Sequence, residues 1–377
     1  MSLRVVVAPA PFKGALGPAG AAAAIAMGVR LAGHEAIEVP VADGGEGTMS
    51  ALVAAAAGRV IDAPARDPLG RPITAGFGLL PDGTAVVELA QASGYERLID
   101  SERDPEATST LGTGDLIRAA LDAGATRVIV GVGGSATTDG GIGIAIALGA
   151  RVRDASGADL AGTGADLGRM AAVDLAGLDP RLAGLPIEVA CDVNSPLVGP
   201  DGSAHVFGPQ KGASPDAVLR LDAGLANLAA VLAAQGLPDV AHAPRAGAAG
   251  GAAGGMAAML GASLTDGGAL ITTAAGLSAA LAGADLCITG EGRLDTQTLT
   301  GKAPAAVAAA CADAGVPCVG LFGQVDVPPG IARRMGLVAA LPIGRVVRSL
   351  PEAMAATADD LAASGADVAG MWAAARG

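Results

Sequence analysis

The sequence predicts an α/β protein of two domains built on parallel sheets, and three observations predict it. Short β-branched runs are each followed by glycine or polar punctuation and then by an alanine-rich stretch of helical length, the alternation a parallel sheet requires. The chain's 377 residues are enough to bury two cores. Its apolar residues, 51% of the total, are mostly small aliphatics, since only 2% are aromatic and 16% are charged, which is too apolar for a disordered chain.

In chain order, Leu3–Ala8 reads as the first strand, and Pro18–Leu31 as a helix with proline at its first turn. Ala36–Val41 is the second strand. From Asp62 to Tyr95 short runs alternate with Asp-Gly and Pro-Asp-Gly turns, which predicts antiparallel or mixed pairing. Strands follow at Arg127–Val132, Ile187–Cys191, Asp285–Thr289, Val316–Phe322 and Leu337–Leu341, with helices at Asp115–Ala123, Pro215–Gln235, Lys302–Ala314 and Pro351–Ala363. Ala246–Thr265, the longest uncharged stretch, is mostly glycine and alanine, a poor spanning helix and a better glycine-rich loop running into a helix.

Composition also bounds function. Lys+Arg 24 against Asp+Glu 37 leaves a net charge of −13, a mean field that repels nucleic acid and anionic membranes. Cys191, Cys287, Cys311 and Cys318 show no CxxC spacing and read as reduced core thiols of a cytoplasmic protein, and no charged segment followed by an apolar one opens the chain. His34, His205 and His242 are scattered without metal spacing, and no G-x-S-x-G elbow is present, so a zinc site and a serine hydrolase are both unsupported. Oligomeric state is not legible.

In an open α/β sheet, ligands bind beyond the carboxyl ends of the strands. Five loops at such ends share one chemistry: Pro9–Gly14, Ala42–Thr48, Gly131–Gly141, Asp192–Asn194 and Gly290–Asp295 combine glycines with isolated charges. Glycines let main-chain amides approach a bound group, and the hydroxyls of Ser135 and Thr137 beside Gly133 and Gly134 suit an anion. A Walker A loop is absent, because Gly301-Lys302 is followed by Ala303. Gly131, Gly133 and Ala136, with Asp154 further on, fit a dinucleotide fingerprint, a weak signal among 58 glycines that competes with a simple packing turn.

Asp43 and Glu46 in one loop, Glu291 and Asp295 in another, and Asp192 in a third are helix or turn caps taken singly. Three acidic strand ends together fit Mg²⁺ held by one or two carboxylates and substrate phosphates. Among 24 basic residues only Lys13, Lys211 and Lys302 are lysines, each beside a glycine. A compact ammonium suits phosphate; the plainer alternatives are a solvated loop charge for Lys211 and a first-turn residue for Lys302.

With these motifs in view, the chain resembles the type-1 glycerate kinases over nearly its whole length and in the same order. The resemblance rests on APAPFKGAL, VPVADGGEGT, IVGVGGSATTDGGIG, ACDVNSPLVG, HVFGPQKGAS, AGAAGGAAGG and ITGEGRLDTQTLTGKAP. Ala10 and Pro11 stand where the family usually has Asp and Ser. The resemblance implies a parallel, doubly wound five-stranded sheet domain, residues 1–61 and 284–377, interrupted by an inserted mixed-sheet α/β domain, residues 62–283, with the active site in the cleft between them. It also implies phosphorylation of D-glycerate by ATP with Mg²⁺, at O2. On that basis Asp192 is expected as the base, with Lys211 and Arg293 as catalytic cations. Lys13, Lys302, Gly133, Gly134, Ser135, Thr137 and Asn194 are expected to bind substrate or phosphate, and Asp43, Glu46, Glu291 and Asp295 to hold the metal. Two other readings stand beside it: a nicotinamide-dependent oxidoreductase of a small hydroxy acid, and a catalytically impaired homologue that binds glycerate or nucleotide.

Overall fold

A computed structural model describes residues 2–295, 302–328 and 330–376. Its strands are β1 (Arg4–Pro9), β2 (Glu35–Glu38), β3 (Arg59–Arg66), β4 (Pro72–Leu79), β5 (Thr84–Glu88), β6 (Arg127–Gly131), β7 (Arg151–Asp154), β8 (Met170–Asp174), β9 (Ile187–Cys191), β10 (Ser263–Asp266), β11 (Leu286–Leu294), β12 (Cys318–Val325) and β13 (Ala339–Pro342). The chain divides into two compact units, one of residues 1–43, 50–58 and 266–377, the other of residues 44–49 and 59–265.

The first unit is a five-stranded sheet in the order β13-β12-β11-β1-β2. Every neighbouring pair runs parallel, as strands separated by helical crossovers must. Val5, Val6 and Val7 of β1 are fully buried, because a parallel sheet is covered on both faces and its strands read as continuous β-branched runs. Val5 and Val7 face Ile25 and Val29 of the helix Pro18–Leu31, whereas Val6 belongs to the core on the opposite face with Val307 and Phe322.

The second unit is a six-stranded mixed sheet in the order β10-β9-β6-β5-β4-β3. β3, β4 and β5 form an antiparallel meander, turning at residues 67–71 and at Asp82-Gly83, and β5, β6 and β9 are parallel. β7 and β8 pair separately. The helix Pro215–Ala234, the one described helix long and apolar enough to cross a membrane, buries Leu221, Leu225, Leu228 and Leu232 in this unit's second core, which accounts for its apolar face.

The unit boundaries differ from the expected 62–283 insertion at both ends. β3 already begins at Arg59. Residues 267–281 form two helices, Gly267–Ala274 and Leu277–Leu281, and the second buries Leu277 and Leu281 in the same core as Val307 and Cys311 of the helix Ala303–Ala314, so the first unit resumes at Asp266. Residues 44–49, expected within the first unit, are held by the second.

Candidate functional site

Because β5, β6 and β9 are parallel and adjacent, their carboxyl ends lie along one edge of the second unit's sheet, where Glu88, Gly131 and Ala190 stand in register. The loop that leaves β6 is fixed there by main-chain bonds: Tyr95 N donates to Gly134 O at 3.1 Å, and Ala136 N to Ser93 O at 2.9 Å. Residues 44–49 are threaded onto the same edge. Gly133 N donates to Gly44 O at 3.1 Å, and Met49 N donates to the Glu88 carboxylate at 2.7 Å. Gly44 lies so close to β9 that a side chain on it would meet Ala190 O at 2.5 Å, which explains the glycine by contact rather than by a cap.

A pocket of about 350 Å³ opens at this edge, lined among others by Gly133, Gly134, Ser135, Asp192, Arg103 and Lys211. The turn after β9 delivers Asp192 to it. Lys211 closes the short 3₁₀ turn Pro209–Lys211 and is only 4% exposed, so it is not a solvated loop charge. Its ammonium donates to Ser135 Oγ at 2.7 Å and to Thr137 O at 2.6 Å. Burial pushes its pKa down to about 7, opposed by the charge of Asp139. The glycine beside it has a concrete reason: at Gly212, with φ +98°, a Cβ would strike Arg103 O at 2.2 Å.

Asp139 is the polar keystone of the β6 loop. Fully buried, its carboxylate accepts from Thr110 N and Thr110 Oγ1, both at 2.7 Å, and from the amides of Gly141 at 3.1 Å and Gly143 at 3.2 Å. Desolvation raises its pKa and these donors oppose that rise. Glu88 is raised in the same way by burial, against the hydrogen bonds from Met49 and Gln91. Arg103 packs its guanidinium over the Tyr95 ring, 5.7 Å from the centroid, and pairs with Asp100 at 3.0 Å.

Of the residues expected from sequence, the structure thus brings Asp192, Lys211, Gly133, Gly134 and Ser135 to one pocket. Thr137 contributes its carbonyl to Lys211, while its hydroxyl is buried without a hydrogen-bond partner. Asn194 and Glu46 are exposed residues of the same unit. Lys13, Asp43, Glu291, Arg293, Asp295 and Lys302 belong to the first unit. There Arg293 on β11 pairs with Asp326, and Lys302 lies 3.7 Å from Asp295. Residues 296–301 of the last quoted motif lie outside the described residues.

Sequence reasoning missed Arg103, Tyr95, Glu88 and the role of Asp139. The single tyrosine of a nearly ring-free chain was the one available signal. The dinucleotide fingerprint does not survive: the helix that should open at the glycines begins only at Ile142. Asp154 is used locally, accepting from Ser156 N at 2.9 Å and Ala158 N at 3.1 Å.

Comparison with known proteins agrees with this architecture. The profile of the Glycerate kinase family matches residues 5–373. The chain is 40% identical over 370 residues to the glycerate 2-kinase of Escherichia coli K12, covering 97% of each chain. It is 42% identical over 372 residues to the glycerate kinase of Bacillus subtilis 168, covering 96% of this chain and 97% of that one. A crystal structure of a candidate glycerate kinase 2 from Salmonella typhimurium LT2 superposes with a TM-score of 0.90 at 41% identity, covering 100% of both chains. A profile spanning almost the whole sequence, relatives at this identity and a matching pair of sheets lead to one conclusion: the chain belongs to the glycerate kinase family.

Proposed function

We propose that the protein transfers the γ-phosphoryl group of ATP to O2 of D-glycerate, with Mg²⁺ accompanying the nucleotide. The observation that carries the reading is the pocket at the ends of β6 and β9, where a carboxylate, Asp192, and a buried ammonium, Lys211, line one small cavity with Gly133 and Gly134. Phosphoryl transfer asks mainly for positioning and charge neutralisation. Asp192 accepts the proton of the attacking hydroxyl as its oxygen bonds to phosphorus. Lys211, held by Ser135 and Thr137, and Arg103, held against Tyr95, supply positive charge to the glycerate carboxylate and the phosphoryl oxygens. A pocket of about 350 Å³ is large enough in volume for a three-carbon acid.

Mg²⁺ would neutralise phosphate charge, and Asp43, Glu291 and Asp295 of the first unit are the residues proposed to hold it. Their hard oxygen donors fit this ion. Such an ion takes one or two carboxylates and completes its shell with phosphate and water. A cytoplasmic location is proposed because none of the four cysteines is in a disulfide.

ADP release coupled to a spectrophotometric assay with D-glycerate and Mg-ATP tests the reading, and phosphorus NMR identifies the oxygen that is phosphorylated. Asp192→Asn and Lys211→Met are each expected to lose about 100-fold or more in kcat. Near-wild-type turnover in either removes that residue from its role, and a product phosphorylated at O3 rejects the assigned position.

A further inference from the structure

In the first unit, far along the chain from the pocket residues, three thiols converge. Cys287 on β11 and Cys318 on β12 are register partners on adjacent parallel strands, so their side chains leave the same face of the sheet. Cys311, on the helix Ala303–Ala314 that covers this face, meets them. The three sulfur atoms lie within 4.8 Å of one another, the only such group of potential metal ligands among the described residues. All three residues are at most 1% exposed, and Val307, Ala308, Val316, Phe322 and Leu337 pack in the same core.

The geometry points to a trithiol site for a trivalent thiophilic metalloid, with trivalent arsenic as its representative. Two properties select this class. Three converging sulfurs with no fourth ligand among the described residues match a three-coordinate centre and leave a tetrahedral zinc site one ligand short. The surroundings are apolar, since the side chains that share this core with the three thiols include Val307, Ala308, Val316, Phe322 and Leu337. A divalent or monovalent ion bound by three thiolates would leave net negative charge in that core, which is costly without a partner. Arsenous acid leaves none. Three S–As bonds form as three S–H and three As–O bonds break, each hydroxyl leaving as water with a thiol proton, and no atom changes oxidation state. The bound atom would pin β11, β12 and the helix together and stabilise the folded state by mass action.

The full-length protein, reduced with a phosphine and titrated with sodium arsenite, tests the site. Native mass spectrometry is expected to show one arsenic per chain replacing three hydrogens, and arsenic-edge X-ray absorption to show three sulfur neighbours. Binding will be slow, since the thiols become accessible only through local opening. Cys311→Ala and Cys311→Ser, each checked for folding by circular dichroism, are expected to lose this species, while Cys191→Ser keeps it. Two sulfur neighbours with a retained oxygen, retained binding in folded Cys311 variants, or tighter binding of Cd²⁺ than of arsenite would each overturn the assignment.

Discussion

The Lys211 ammonium and the Ser135 hydroxyl, far apart in sequence, are joined by a hydrogen bond of 2.7 Å inside the second unit. This bond places a buried cation whose charge depends on what the pocket holds. With its pKa pushed down from 10.5 to about 7, Lys211 is largely neutral at pH 8 in the unliganded protein. An anion beside it restores the charge, so ligand binding at pH 8 is expected to take up close to one proton. Calorimetry of D-glycerate binding in buffers of differing ionisation heat measures that uptake. Lys211→Met abolishes it, and binding with no proton uptake would separate Lys211 from the anion.

The same group shapes stability. A lysine depressed in the folded state makes the unfolded chain bind the extra proton between about 7 and 10.5, so stability rises with pH across that window. Thermal unfolding of the unliganded protein is expected to show this rise, and Lys211→Met to flatten it. A slope unchanged in the variant assigns the effect to other groups.

Asp139 provides a further test of the β6 loop. Its carboxylate accepts from three main-chain amides and the Thr110 hydroxyl, so Asp139→Asn turns an amide donor toward groups that are themselves donors. The variant is expected to lose about 2–4 kcal/mol of stability and to shift Lys211 further toward neutrality, because the buried charge opposing its depression is gone. Denaturant unfolding measures the first effect, and the pH midpoint of proton uptake, displaced to lower pH, measures the second.

How much of this was legible in sequence depended on whether the cause was local. The helix Pro18–Leu31 and the strand Ile187–Cys191 were placed to the residue, because proline at a first turn and a bounded β-branched run act within a few residues. That Asp192 follows a strand and that Lys211 is a lysine in a chain that otherwise uses arginine were both legible. The boundary near residue 266 was not, since only packing in the core shared with Val307 tells which unit the helix Leu277–Leu281 joins. Asp139 was passed over because burial against Thr110, distant in sequence, gives it its role, and Arg103 because only folding brings it to the same pocket as Lys211.

Glu88 titrates in the opposite sense to Lys211. Its pKa is raised above the ordinary 4.5 by burial, so the folded state binds the extra proton and stability falls as pH rises from 4.5 through the raised value. Glu88→Gln keeps an oxygen for the Met49 amide and removes the buried charge. The variant is expected to match the wild type below pH 4.5 and to lose less stability as pH rises toward neutrality. Unfolding midpoints from pH 4 to pH 7 measure it; parallel curves would show that Glu88 ionises as freely as an exposed acid.

The docking of residues 44–49 is tested at Gly133. A Cβ there would lie 2.5 Å from Gly45 Cα, a backbone atom that cannot rotate aside. Gly133→Ala therefore pushes the segment away and breaks the bond from Gly133 N to Gly44 O. Because Gly133 also lines the pocket, the loss is expected in both readouts: about 1–3 kcal/mol of stability, and a rise in KM for D-glycerate. Hydrogen exchange locates the strain, since the Met49 amide, bonded at 2.7 Å to Glu88 in the wild type, should lose protection while the strand amides of β6 keep theirs. Unchanged protection at Met49 would show that residues 44–49 are held by Glu88 alone and that the contact between Gly44 and Gly133 contributes nothing to the site.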